Sequence, residues 1–182
     1  MLIRHATAAD VPAIRELDRQ AATAAHWSEE QYMRLFATGA GTLSQRIGLV
    51  ALATTIRESS DKNPAPSAKQ ESAVRGFLVA HGLGAEWEIE NLVVAEASRR
   101  QGLGRRLVEE LIAQARAAGA QSVFLEVRES NYAARALYGN VGFAVNGLRK
   151  DYYANPSDDA ILYRLGVSLA DSQNETAPRI WH

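Results

Sequence analysis

Glu126 is a carboxylate set inside an apolar run, "VFLEV", Val123 to Val127. Strands favour such branched and aromatic residues. A carboxylate among them costs free energy unless it faces water, is paired, or has chemistry to perform. Pairing with Arg128 or Arg105 is one reading of it; a proton-transfer role is the other. Tyr138 closes "NYAARALY", about two helical turns after Asn131, so both can face one groove. A tyrosine in that place can equally be the apolar end of a short helix.

A third feature is "RRQGLG", Arg99 to Gly104. Glycines opening a helix let the backbone approach a ligand. The free N–H groups of the first turn and the positive end of the helix dipole then point at it. Arg99, Arg100 and Arg105 add charge, and together they predict an anion site suited to pyrophosphate. A dinucleotide fingerprint, with Glu126 as its ribose-binding acid, is the competing reading. Three features argue against it. Leu107 stands where the third glycine belongs, "AEASRRQ" separates the glycines from the preceding strand, and only one βαβ unit is evident.

The elements that must position these residues follow from periodicity and punctuation. Strands are expected at Leu2 to His5, Ile47 to Ile56, Val74 to His81, Trp87 to Val94, Val123 to Val127, Phe143 to Leu148 and Ala160 to Leu165. Thr7, Asp10 and Pro12 mark one helix start, and Ser28 with Gln31 marks another. Trp27, just before that cap, suits a hydrophobic staple or an acceptor contact. A long helix over Leu103 to Ala118 carries Leu107, Val108, Leu111, Ile112 and Ala115 on one stripe and stops at Gly119. A short helix from Tyr132 to Tyr138 is expected to break at Gly139, Asn140 and Gly142. Residues 57–73, rich in Ser, Pro, Lys and Glu, read as a flexible hairpin insertion, and residues 167–182 as a loose tail. The class is α/β, with α+β mixing: one domain over residues 1–166 built round a strand–helix–strand unit.

Composition narrows the function. With 182 residues, 47% of them hydrophobic and 23% charged, the chain suits one globular domain. A net charge of −1 gives no electrostatic reason to expect nucleic acid or a membrane as partner. There are no cysteines, which removes disulfides, thiolate metal sites and a cysteine nucleophile. His5, His26, His81 and His182 show no metal spacing, so no metal is expected. Neither a signal peptide nor a spanning segment of roughly 18 apolar residues is legible, and a cytoplasmic location is expected.

The R-x-x-G-x-G pattern at Arg99, Gly102 and Gly104 resembles that of the GNAT acetyltransferases. "NLVV", "RRQGLGRRLVEELI", "LEVRESNYAARALYGNVGF" and "RKDYYANPSDDAILYRL" resemble consecutive blocks of its RimI-type branch of protein N-terminal acetyltransferases. "HWSEEQY" resembles that branch's substrate-side segment. The resemblance spans about residues 1 to 165. It implies a central mixed, mostly antiparallel sheet with one parallel strand pair splayed around acetyl-CoA and flanked by helices. It further implies that Leu92, Val93 and Val94 lie along the pantetheine arm. Arg99, Arg100, Gln101, Gly102, Leu103, Gly104 and Arg105 would hold the pyrophosphate, with Asn131 beside the cofactor arm. Glu126 would be the general base and Tyr138 the general acid.

These roles suit acetyl transfer to an amine. An α-amine, with a reference pKa near ~8, needs less help to deprotonate than a lysine near ~10.4, and tyrosine near ~10 keeps a proton to give a leaving thiolate. No covalent intermediate is required, in agreement with the missing cysteine. The implied acceptor is the N-terminal alanine of a small-subunit ribosomal protein, reached by a monomer or weak dimer. Tyr152 and Tyr153 are candidates for the peptide entrance, and Glu29, Glu30 and Glu86 for acids facing a basic acceptor. A GNAT acting on a small amine or on lysine side chains, and a silent acetyl-CoA-binding module, are the alternatives.

Overall fold

A computed structural model describes residues 2–36, 44–54 and 72–168. Its order of elements is β1 (Leu2–His5), α1 (Val11–Gln20), α2 (Glu29–Met33), β2 (Ser44–Thr54), β3 (Ser72–Leu83), β4 (Glu86–Val94), α3 (Leu103–Ala117), β5 (Ser122–Arg128), α4 (Tyr132–Val141), β6 (Ala144–Ala154) and β7 (Ser157–Gly166). Among the described residues these strands form one sheet, ordered β1-β2-β3-β4-β5-β7-β6. Every neighbouring pair is antiparallel except β4–β5. The mixed sheet with a single parallel pair is the expected architecture.

Alternation along the strands divides the core in two. Leu49, Ala51, Leu78, Ala80, Val123 and Leu125 face α3, whose expected stripe of Leu107, Val108, Leu111, Ile112 and Ala115 is buried against them. Val50, Leu52, Phe77 and Val79 face the other way, onto Val11, Ile14 and Leu17 of α1 and Tyr32 of α2. That second layer covers only the first half of the sheet, so the opposite face of β5 stays open for other uses.

The helix starts are built as the caps foretell. Ser28 accepts from the Gln31 N–H, while the Gln31 side chain accepts from the Ser28 N–H. Trp27 packs on Tyr32 with ring centroids 5.4 Å apart, closing the staple. Before α1 the chain takes a 3-10 turn, Ala8–Asp10. There the Asp10 carboxylate accepts from the Thr7 N–H at 2.8 Å and from both Arg4 Nη1 and Nη2, at 2.7 and 2.8 Å. The Arg4 guanidinium first, and the Thr7 donors after it, hold the Asp10 carboxyl at about 2. A folded-state value below the unfolded one stabilises the protein above the unfolded pKa and ceases to do so as pH falls through the folded one. Asp10→Ala therefore costs about 2 kcal/mol at neutral pH, the size of a charged cap. In urea melts that deficit shrinks as pH is lowered from about 4 towards 3.

Several strands and one helix outrun the expected ranges. β6 extends to Ala154 because β7 pairs with it through Ala154↔Ser157. α4 continues through Gly139 and Asn140 to Val141 instead of breaking there, and ends on Gly142 in the left-handed region at φ 104°. Glycine inside a helix costs only about 1 kcal/mol, which the packing of α4 outweighs. Of the expected insertion, Ser72 and Ala73 belong to β3; residues 57–71 lie outside the described residues. Val167, where the loose tail was expected to begin, is buried, and its N–H donates to the Gln121 carbonyl at 2.9 Å. Residues 169–182 lie outside the described residues. Among the described residues no helix is long and apolar enough to cross a membrane.

Candidate active site

The parallel β4–β5 ladder runs from Glu86↔Ser122 to Ile89↔Leu125 and goes no further. Both strands continue, β4 to Val94 and β5 to Arg128, so a gap opens between them. At that point β4 also carries a bulge: Ile89 faces Ala80 of β3, Asn91 faces Val79, and Glu90 is the extra residue. A bulge reverses the alternation beyond it. Trp87 and Ile89 face α3, whereas Asn91 and Val93 face α1 and α2. The gap is a cleft of about 350 Å³. Glu88, Asn91 and Leu92 of β4, Glu126 of β5, Asn131 and Tyr138 of α4, and Tyr152 and Tyr153 of β6 line it. Residues 23–25, between α1 and α2, form another wall.

Glu126 is the first residue of β5 past the last ladder pair, on the face turned away from α3, and half-buried. Its carboxylate pairs with neither Arg128 nor Arg105 but with Arg149 of β6, at 2.9 Å. Arg105 pairs with Glu109 one turn along α3, at 2.7 Å. The Arg128 guanidinium lies 4.0 Å from the centre of the Tyr153 ring. Glu88, paired with Phe124 just before the ladder ends, lines the same cleft as Glu126. Desolvation, and then the charges of Glu90 and Glu126, push its carboxyl above the usual range, with His81 and Arg149 opposing. Two carboxylates thus flank the place where the ladder opens.

Tyr138 is buried, with Phe143 5.7 Å and Tyr163 6.3 Å away between ring centroids. Burial pushes its hydroxyl up, so the phenol keeps its proton through the physiological range. Asn131 caps α4, its side-chain oxygen accepting from the Ala134 N–H at 3.2 Å. Its amide reaches the Thr23 hydroxyl, at 3.5 Å. The two residues expected to share a groove therefore do.

The glycine loop sits at the end of the splayed strand. Gly102 caps α3 with φ 77°, a left-handed conformation that favours glycine. A Cβ on Gly104 would stand 3.2 Å from Leu137 of α4, so glycine permits the close approach of α3 and α4. Leu137 thereby ties the loop to the helix that carries Tyr138. Arg99 and Arg100 are exposed beside these turns. The Leu103 side chain is buried in the core, which leaves its backbone to face a ligand. Val93 likewise turns its side chain into the α1–α2 layer. Past Ile89 the β4 backbone has no β5 partner. An unpaired strand edge leading to a glycine-opened helix N-terminus fits the arm and pyrophosphate of a coenzyme A thioester.

The expected entrance acids are elsewhere. Glu29 pairs with Arg15 and Glu30 with Arg34, both on the surface. Glu86 opens β4 and lines an adjoining groove that shares Glu88, Glu126 and Tyr152 with the cleft. Glu88 and Glu126 face the cleft instead, and Tyr152 and Tyr153 line it as anticipated. Glu88 and Asn91 went unread in the sequence. The signal was present: "EWEIEN" alternates acid with apolar, and the unbroken "LVV" after it shows that the alternation fails at Glu90.

A splayed parallel pair, a glycine-opened helix and a carboxylate facing a buried phenol define an acyltransferase that takes its acyl group from a coenzyme A thioester. The chain belongs to the acetyltransferase (GNAT) family, which it matches over residues 15–143, and the acetyl donor of that family is acetyl-CoA. It is similar to the [ribosomal protein bS18]-alanine N-acetyltransferase of Escherichia coli K12, 36% identical over 102 residues, 55% of this chain and 69% of that one. The crystal structure of the ribosomal-protein-S18-alanine N-acetyltransferase from Escherichia coli superposes with a TM-score of 0.67 at 25% identity, covering 100% of this chain and 99% of that one. Naa20 of Chaetomium thermophilum, solved with a bisubstrate analogue, shares the fold with a TM-score of 0.72 at 23% identity, over 98% and 93% of the two chains.

Proposed function

We propose that the protein transfers acetyl from acetyl-CoA to the α-amino group of a protein N-terminus, an alanine of a small-subunit ribosomal protein being the acceptor. One observation carries this reading: Glu126 and Tyr138 line the same cleft, at the point where β4 and β5 part. The 36% identity to an enzyme named for acetylating an alanine of ribosomal protein bS18 supports the acceptor, and such an acceptor implies a cytoplasmic enzyme. Residues 1–166, together with the buried Val167, form the catalytic domain, with residues 57–71 inserted between β2 and β3.

Acetyl-CoA supplies the activated acetyl group, and this chain's residues do the rest. Arg99, Arg100, Gln101, Arg105 and the backbone N–H groups from Gly102 to Gly104 hold the pyrophosphate. The backbone of Leu92, Val93 and Val94 aligns the arm, and Asn131 fixes its far side. Glu126 takes the proton of the incoming ammonium, directly or through water. The neutral nitrogen attacks the thioester carbonyl and sheds its second proton to solvent as the C–S bond breaks; Tyr138 gives a proton to the sulfur and takes one back from solvent. Only modest help is needed, because an α-amine with a reference pKa near ~8 is already partly neutral at physiological pH.

The acceptor class is tested by comparing kcat/KM for an alanine-starting peptide with that for free polyamines and for an N-terminally blocked peptide containing lysine. The α-amine is expected to be preferred by at least about tenfold, since the ε-amine starts ~2 pKa units higher. Faster acetylation of either competitor would replace this acceptor class.

A further inference from the structure

Asp18, Tyr32 and Asn91 are buried polar side chains that the acetyl-transfer scheme does not use. They come from three elements: α1, α2 and the stretch of β4 just past its bulge. Asn91 Nδ2 donates to Asp18 Oδ1 at 3.0 Å and lies 3.0 Å from the Tyr32 hydroxyl. Burial first, and then the charge of the nearby Asp18 carboxylate, push the phenol pKa up. Asp18 Oδ1 also accepts the His26 N–H at 3.3 Å, where the backbone takes φ 51°. A buried carboxylate without a cation is tolerated only when donors meet it, and the Asn91 amide and the His26 N–H do so.

We infer that Asp18, Tyr32 and Asn91 form a clamp that positions the acceptor-side wall of the cleft against β4. The wall is the segment between α1 and α2. Asp18 holds that segment by its His26 end, and its Thr23 meets Asn131 on the far side of the cleft. The clamp exists because Glu90 is an extra residue: without the bulge, Asn91 would face α3 with Ile89, and Asp18 would lose its β4 donor. These are positioning residues. They hold a wall on the sheet face that carries Glu126, where the acceptor amine must arrive, so their loss is read in the acceptor before the donor. The inference builds on the acetyl-transfer reading above, but not on which amine is the acceptor.

The bonding pattern supplies its own rescue. In the exchange Asp18→Asn with Asn91→Asp, the new amide at 18 can donate to the carboxylate at 91 and to Tyr32. Its oxygen can still accept from His26, and Tyr32 can donate to the new carboxylate. Asn91→Asp alone sets two buried carboxylates against each other, and Asp18→Asn alone removes the charge that the Asn91 amide and the His26 N–H donate to. The experiment measures KM for an alanine-starting peptide, KM for acetyl-CoA and Tm in both single variants, the exchange variant and Tyr32→Phe. If the wild type prefers another amine, that amine replaces the peptide, so failure of the acceptor assignment stays distinct from failure of the clamp.

Each single variant is expected to raise the acceptor KM by about tenfold, the effect of one lost buried hydrogen bond, with acetyl-CoA KM unchanged. The exchange is expected to restore most of the acceptor KM. Tyr32→Phe, which deletes one hydroxyl and keeps the ring, covers the case in which a single variant does not fold. A fall in Tm with acceptor KM unchanged would overturn the clamp, as would equal rises in both KM values. An exchange that recovers Tm without recovering the acceptor KM would overturn it too.

Discussion

Tyr138→Phe is expected to bind acetyl-CoA as the wild type does and to lose about 10²- to 10⁴-fold in kcat, the range of a general acid. The substitution removes one oxygen and keeps the ring that packs on Phe143 and Tyr163, so a fall in rate cannot be assigned to unfolding. The phenol is in the protonated state that the role requires, since tyrosine is neutral at physiological pH and burial holds it so. It holds its proton until a thiolate, a much stronger base than water, needs it. Steady-state kinetics with an alanine-starting peptide, beside calorimetric titration of acetyl-CoA, separate the two effects. Wild-type kcat in this variant would remove Tyr138 from the chemistry.

Glu126→Gln is expected to lower kcat/KM by about 10²-fold at neutral pH, the lower end of general-base effects. The amide keeps the size and the contact with Arg149 but cannot take a proton. Glu88→Gln is the necessary partner experiment, because Glu88 lines the same cleft with its carboxyl pushed up. A base needs both reach and basicity, and Glu88 offers basicity while Glu126 stands at the opening itself. With Glu126 as base, the loss follows the 126 variant, and Glu88→Gln costs under about tenfold. The reverse order would transfer the role to Glu88.

Most of the fold was legible because its signals are local. The Ser28–Gln31 box, the α3 stripe and the glycines at 102 and 119 each specify a boundary through neighbours in sequence. Glu126 was also legible as an anomaly, an acid where alternation places it on the face opposite Val123, Leu125 and Val127. What escaped was set by pairing across the sheet. Arg149 meets Glu126 because β6 lies beside β7 and β7 beside β5, an order that no local pattern states. The bulge at Glu90 is likewise fixed by register with β3, and it decides where Asn91 points. The helix break foreseen at Gly139 failed for the same reason: propensity is a weak prior, and the packing of α4 against α3 overrides it.

The central claim is that this cleft acetylates an α-amine. The measurement that tests it most directly uses one peptide, beginning with a free alanine and carrying an internal lysine, incubated with acetyl-CoA and the enzyme. Fragmentation mass spectrometry then locates the acetyl group. The account predicts a single acetyl on the alanine nitrogen, formed by the wild type and strongly reduced in Tyr138→Phe. Acetyl on the lysine with a free N-terminus would contradict it.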